Sequence, residues 1–384
     1  MQSNLTKVVT SLVIGCASAI AVAQVKVGVI VSATGPAASI GVPERRAVDV
    51  MPREAGGRSI EYFVMDDATD TNLSVKAARK LMGDQQVDVV IGPTASAPSL
   101  AVVDVAAEFK APLISMASSS RITSPVDEKK KWAFKTVMDE SLMVDASLKH
   151  LAAKNVKKLA FIGAADAYGD VWVSEVNRLK SKHGIDVVSI ERFASGDVTV
   201  LAQIAKILAE RPDAVLIAAA GTPAALPHKA LKERGYKGLI VQTFGATAPE
   251  VIKIGGKDME GALVASTPGF SPSQMAADDP IKLLNDALVQ KYEKAHGAGS
   301  FSPYVLNAWT AWQLLENALK AMPASLSPGT PEFRVALRGQ IEKTKDLATA
   351  SGVVSFSPQD HMGFDLRSTA MYELRNGKWL LTGR

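Results

Sequence analysis

Cysteine is nearly absent from this chain: Cys16 stands alone among 384 residues. A lone thiol closes no intrachain disulfide and builds no thiolate metal cluster. Histidine is almost as scarce. His150, His183, His228, His296 and His361 are dispersed, with no two standing four apart and no acidic partner at ligand spacing. No metal site is therefore expected, and each histidine reads as a surface or helix-end residue. There is no phosphate loop ending in Gly-Lys-Ser/Thr, no G-x-S-x-G elbow and no G-x-G-x-x-G turn; the stretch 28–35 (G-V-I-V-S-A-T-G) has the wrong spacing. No cofactor is implied. Charge of one sign is missing as well. Lys plus Arg number 43 against 39 Asp plus Glu, and no basic stripe carries aromatics, so nucleic acid is not an expected partner. The densest charge run, Asp127-Glu128-Lys129-Lys130-Lys131, mixes signs and reads as a solvated loop.

The only long apolar run, residues 8–19, is too short to span a bilayer. It follows Lys7 and precedes Ala21-Val22-Ala23, a small-x-small cleavage site. Residues 1–23 therefore read as a secretory signal peptide, with Gln24 the expected mature N-terminus and the periplasm the expected address. Val13-Ile14-Gly15-Cys16 offers a lipoprotein alternative, disfavoured because the residues after Cys16 stay apolar. Residues 24–384 suffice for two domains, and at 47% hydrophobic the chain can build its cores without covalent staples.

What is present is a βαβα rhythm. Strands are expected at 26–31, 60–65, 87–91 and 112–115, with helices at 41–55, 72–82 and 98–109 between them. The 41–55 helix carries Pro43 near its start and Gly56-Gly57 past its end. A second unit repeats the order: helices at 141–153, 169–182, 200–209 and 223–235, strands at 158–163, 185–192, 214–219 and 239–243. Residues 261–267 read as a strand, 280–296, 304–321 and 332–344 as helices. The chain ends in a hairpin, 369–374 and 378–381, around Asn376-Gly377. The fold class is α/β, with doubly wound parallel sheets.

Two segments stand out. Val87-Asp88-Val89-Val90-Ile91-Gly92-Pro93-Thr94-Ala95-Ser96 and Ala111-Pro112-Leu113-Ile114-Ser115-Met116-Ala117-Ser118-Ser119-Ser120 are strand-like runs ending in small, hydroxyl-bearing residues. Ser96 falls where a strand hands over to a helix N-terminus, which offers free N–H groups, a hydroxyl and the positive end of a helix dipole. In a parallel sheet this is also the ligand-binding edge. A carboxylate suits such a place. Two ordinary βα loops are the alternative that these residues alone leave open.

The ordered set of signal peptide, Val27-Gly28-Val29-Ile30 with Thr34-Gly35-Pro36, Ile91-Gly92-Pro93 with Ser96, Pro112-Leu113-Ile114-Ser115 and Asp166-Ala167-Tyr168-Gly169 resembles the type I periplasmic binding proteins. The nearest branch is the leucine/isoleucine/valine-binding group that serves ABC importers. The resemblance covers the whole mature chain. It implies two lobes joined by three crossovers in Venus-flytrap fashion: 24–138 plus 268–353, and 139–267 plus 354–384. It implies a monomer that binds a small carboxylate in the cleft and delivers it to an ABC permease, without enzymatic chemistry. By position, Ala95 and Ser96 match the first carboxylate loop. Ala117, Ser118 and Ser119 match the second, where a backbone amide and a hydroxyl complete the contacts. Tyr168 matches a cleft tyrosine of the opposite lobe, and Ile40 and Tyr304 match the side-chain pocket.

One departure stands out. Phe244 occupies the place where amino-acid binders of this group carry the glutamate that pairs with the ligand ammonium, and no Asp or Glu occurs from Arg234 to Pro249. A buried ammonium without a partner is costly. The expected ligand is therefore an aromatic or other hydrophobic acid lacking an α-ammonium. The alternatives are an amino acid held through Asp139 or Glu250, a sensory role, or a secreted hydrolase.

Overall fold

The computed structural model describes residues 24–383; the expected signal peptide and Cys16 lie outside the described residues. The first sheet contains β1 (Val25–Val31), β2 (Glu54–Ala55), β3 (Arg58–Asp66), β4 (Val89–Ile91), β5 (Leu113–Ser115) and β6 (Ala133–Lys135), in the order β2-β3-β1-β4-β5-β6. All neighbours are parallel except β2, which runs antiparallel to β3. Helices α1 (Ala38–Val50), α2 (Thr71–Arg79) and α3 (Ser96–Phe109) link its strands. Strand β1 reads Val-Lys-Val-Gly-Val-Ile-Val and is buried apart from Lys26. Continuous apolar sequence is what a parallel strand covered on both faces requires.

The second sheet is built from β7 (Lys158–Ala164), β8 (Asp186–Phe193), β9 (Ala214–Ala218), β10 (Leu239–Gln242) and β11 (Leu263–Ser266), all parallel, in the order β11-β10-β9-β7-β8. With it go α4 (Glu140–Ala153), α5 (Ala167–Leu179), α6 (Leu201–Ala209), α7 (Ala225–Glu233) and α8 (Pro249–Gly255). The chain then returns to the first lobe through α9 (Pro280–His296), α10 (Val305–Lys320), α11 (Pro331–Glu342) and the hairpin β12 (Leu347–Thr349) and β13 (Gly352–Val354), with α9 and α10 packing on α1. It ends by adding β14 (Ala370–Arg375) antiparallel to β11 and β15 (Lys378–Gly383) antiparallel to β14. The chain thus passes three times between two α/β lobes. The last hairpin turns on Asn376 and Gly377, both at positive φ, as their dipeptide predicts.

Three local expectations need correction. The first helix begins at Ala38, not residue 41, and Pro43 lies inside it. It ends at Val50 because Pro52 drives Met51 into extended backbone (φ −65°, ψ 140°). Gly56-Gly57, read as a helix stop, is instead the positive-φ turn of the β2–β3 hairpin. Second, residues 355–368 stay with the first sheet. The His361 ring stacks on Phe134 of β6 at 4.2 Å and Phe356 packs on the same ring, so the third passage comes at about Thr369 and not at 354. Third, two histidines are core residues. His361 Nδ1 meets the Ala133 carbonyl at 2.9 Å and its Nε2 meets Glu342. Burial pushes His228 down to about 4, so its neutral ring accepts from Gln242 Nε2 and donates to the Asp258 carbonyl.

Candidate functional site

The carboxyl ends of both parallel sheets face one cleft, and the loops leaving them line a cavity of about 220 Å³. From the first lobe come Pro36, Ala37 and Ile40 after β1, Thr94, Ala95, Ser96, Ala97 and Pro98 after β4, Met116, Ala117 and Ser118 after β5, and Val137 after β6. The second lobe adds Asp166 and Tyr168 after β7, Ser195 after β8, Ala220 after β9, and Phe244 and Gly245 after β10. Tyr304 and Asn307, at the start of α10, close one side. This is the crevice position that open α/β sheets reserve for ligands. The lobes touch along its rim. A Cβ on Gly221 would sit 2.5 Å from the Pro36 carbonyl oxygen, and φ is +73° there, so only glycine allows this approach.

The first wall is a donor surface. Ala95 is the N-cap of α3, in extended backbone and without a side-chain cap, and Ser96 is the first helical residue. Pro98 has no N–H, and the Ser99 N–H goes to the Ala95 carbonyl. The N–H groups of Ser96 and Ala97 are left without a partner among the described residues, at the positive end of a helix of 14 residues. The α1 helix reaches this wall because Gly41 lies against β1's end, where a Cβ would come within 2.2 Å of the Ser32 carbonyl oxygen. That contact brings Ile40 to the cavity.

Behind the wall lie two buried carboxyls that no sequence pattern marked. Glu44, on α1, receives Asn307 Nδ2 at 3.1 Å and lies 2.5 Å from Thr94 Oγ1. Burial pushes its carboxyl up to about 8, against the opposing pull of those two hydrogen bonds. Glu140, the first residue of α4, accepts from Ser118 Oγ at 2.7 Å and from the Ser120 N–H at 3.2 Å. Burial raises it too, opposed first by the charge of Lys135. Lys135 is itself fully buried and binds the Ser118 carbonyl and Asp139.

Around Phe244 the second wall is apolar. Phe244 meets the Tyr304 ring edge-on across the cleft, with centroids 5.3 Å apart. Tyr304 Oη donates to the Phe244 carbonyl at 2.8 Å and accepts from the Thr247 N–H at 3.1 Å. Tyr168 Oη accepts from the Gly245 N–H at 3.4 Å. Burial keeps both phenols well above the ordinary tyrosine range, hence protonated.

Of the nine residues expected at the site, Ile40, Ala95, Ser96, Ala117, Ser118, Tyr168, Phe244 and Tyr304 meet at this cavity. Ser119 does not: it is fully buried behind the loop, where the chain turns into the short 3-10 helix Ser120–Ile122. Of the backbone amides of this second loop, the Ala117 N–H is taken by Ser115 Oγ at 3.1 Å. Tyr304 is more than a pocket wall, since its hydroxyl clasps the two lobes. The alternative carboxylates lie elsewhere: Asp139 pairs with Lys135, and Glu250 is exposed on α8. Asp166, the N-cap of α5, lines the mouth instead and is exposed.

A family model described as periplasmic binding protein matches residues 24–378. The chain is 25% identical over 364 residues to the Leu/Ile/Val-binding protein homolog 3 of Brucella melitensis, covering 92% of each chain. It is 41% identical to an extracellular ligand-binding receptor of Rhodopseudomonas palustris HaA2, with a TM-score of 0.91 over 94% of this chain and 100% of that one. At 21% identity, an ABC-transporter solute-binding protein of R. palustris, solved with benzoate, shares the fold (TM-score 0.77, covering 94% of this chain and 96% of that one).

Proposed function

The chain belongs to the periplasmic binding protein family, and on that premise we propose that it captures a small hydrophobic or aromatic carboxylate between its lobes and delivers it to an ABC permease. The observation that carries this reading is the asymmetry of the cavity. The unpartnered Ser96 and Ala97 N–H groups and the Ser96 hydroxyl suit a carboxylate, and water exclusion strengthens such bonds. Opposite them stands the Phe244 ring, where an ammonium would find no charge. The volume fits: about 220 Å³ exceeds the roughly 150 Å³ that holds one benzene and stays below the roughly 300–1,000 Å³ of drug-sized pockets. Export through a signal peptide and action as a monomer complete the proposal. Ligand bridging the lobes would shift the population toward the closed form.

A second reading rests on Asp166. An amino acid lying along the cavity could point its ammonium at this exposed carboxylate on the second lobe. A thermal-shift screen of residues 24–384 separates the two, since a ligand that binds only the folded state raises the melting temperature. Benzoate is the first probe because a protein of the same fold holds it. A rise with benzoate or phenylpyruvate and none with leucine or valine supports the acid reading. A rise with leucine that disappears in Asp166→Asn replaces it with the amino-acid reading.

A further inference from the structure

The donor count around Glu44 leads beyond the site itself. Thr94 lines the cavity, and its Oγ1 already receives the Ser32 N–H at 3.1 Å. The same oxygen lies 2.5 Å from Glu44 Oε2, while Asn307 Nδ2 donates to Oε1. One proton must occupy the Thr94–Glu44 contact, and its owner decides what Thr94 shows the cavity. If Glu44 is ionised, Thr94 donates to it and turns only a lone pair toward the cavity. If Glu44 is protonated on Oε2, it donates to Thr94, whose own O–H is then free to point at a ligand.

Resting on the carboxylate-ligand reading above, we propose that Glu44 is a specificity-determining positioning residue: in its protonated form it makes Thr94 a donor to the ligand carboxylate, so that capture of an anion is coupled to proton uptake at Glu44. The surroundings favour the neutral acid. Glu44 is fully buried and forms no ion pair among the described residues. The groups facing it are Thr94, Asn307 and the Tyr304 phenol from the start of α10, and the carboxylate of Asp67, whose negative charge opposes ionisation further. Asp67 is held by Ser32 Oγ, Ser74 Oγ and the Thr69 N–H. Glu140 lacks this isolation because buried Lys135 offsets its charge. Ligand anion and ionised Glu44 would repel through Thr94; protonation removes the repulsion and supplies the donor together.

The sign follows from linkage. Burial pushes the Glu44 carboxyl up to about 8, and an anion bound beside it raises that value further. Affinity is then full below about pH 7 and falls by up to about tenfold per pH unit above about pH 8, where binding takes up nearly one proton. The test is calorimetric titration with benzoate from about pH 7 to about pH 9.5, in two buffers of different ionisation enthalpy, for the wild type and Glu44→Gln. The wild type should show buffer-dependent heat at the alkaline end and a dissociation constant that rises steeply there. In Glu44→Gln, a neutral isostere that can still donate to Thr94, the ratio of alkaline to neutral dissociation constants should fall to about one, with no proton uptake. Benzoate bound by the wild type without pH dependence or proton uptake overturns this proposal and leaves the carboxylate reading standing. So does an unchanged pH profile in Glu44→Gln. Failure of benzoate, and of phenylpyruvate in its place, to bind at any pH overturns both. The wild-type titrations involve no substitution, so poor folding of the variant cannot mask the result.

Discussion

The two walls of the cleft are made from the same element, a parallel strand running into a helix, yet they present opposite chemistry. After β4 the chain enters α3 through Ala95, Ser96 and Ala97, residues too small to cover the N–H groups at the helix start. After β10 it enters a short turn through Phe244, whose ring covers that edge and whose carbonyl is taken by Tyr304. Shared topology therefore fixes where the two walls are, and side-chain size decides whether each offers hydrogen bonds or an apolar face. In our reading the first lobe recognises charge and the second recognises shape.

The largest effect on this contrast should come from giving the second wall a charge. Phe244→Glu places a carboxylate opposite a bound carboxylate and should weaken benzoate binding by about 100-fold or more, since an unpaired buried charge costs several kcal/mol. Gain of leucine binding in the same variant would show that this position sets the ligand class; unchanged benzoate affinity would show that the ring is no part of the site. A smaller effect is expected on the first wall. Ser96→Ala removes one donor to the anion and should cost about 1.5–3 kcal/mol of binding free energy, with little change in melting temperature of the free protein. An affinity within about twofold of wild type would remove the hydroxyl from the carboxylate contact. The smallest effect is at the clasp. Tyr304→Phe keeps the ring against Phe244 but removes the hydrogen bond to its carbonyl, worth about 1 kcal/mol. Scattering from the ligand-free variant should show a more open molecule. If its dimensions match those of the wild type, this bond does not hold the lobes together.

Much of the fold was legible because its signals are local. The apolar runs at β1, β4 and β7, the Asn376-Gly377 turn and the small residues after β4 and β5 each carry their meaning within a few positions. The errors have local causes as well. Gly56-Gly57 suits a helix end and a hairpin turn equally, and only the pairing of Glu54–Ala55 with Arg58–Ser59 decides between them. Ser118 and Ser119 are chemically alike, and the direction of the backbone alone sends one to the cavity and the other into the core. Glu44 and Asn307 are 263 positions apart and met only because α10 packs on α1. Nothing near either residue could have announced the other.

The chain's composition and periodicity by themselves determined the α/β class, the two-unit order of its elements and the small hydroxyl-bearing loops, because strand, helix and turn preferences act over a few residues. Tertiary structure alone decided that Tyr304 joins the lobes, that His228 and His361 are core residues, and that a buried carboxyl with no cationic partner among the described residues stands behind Thr94. Those properties depend on burial and on partners distant in sequence, and the cost of removing a charged or polar group from water is set by what the whole fold packs around it.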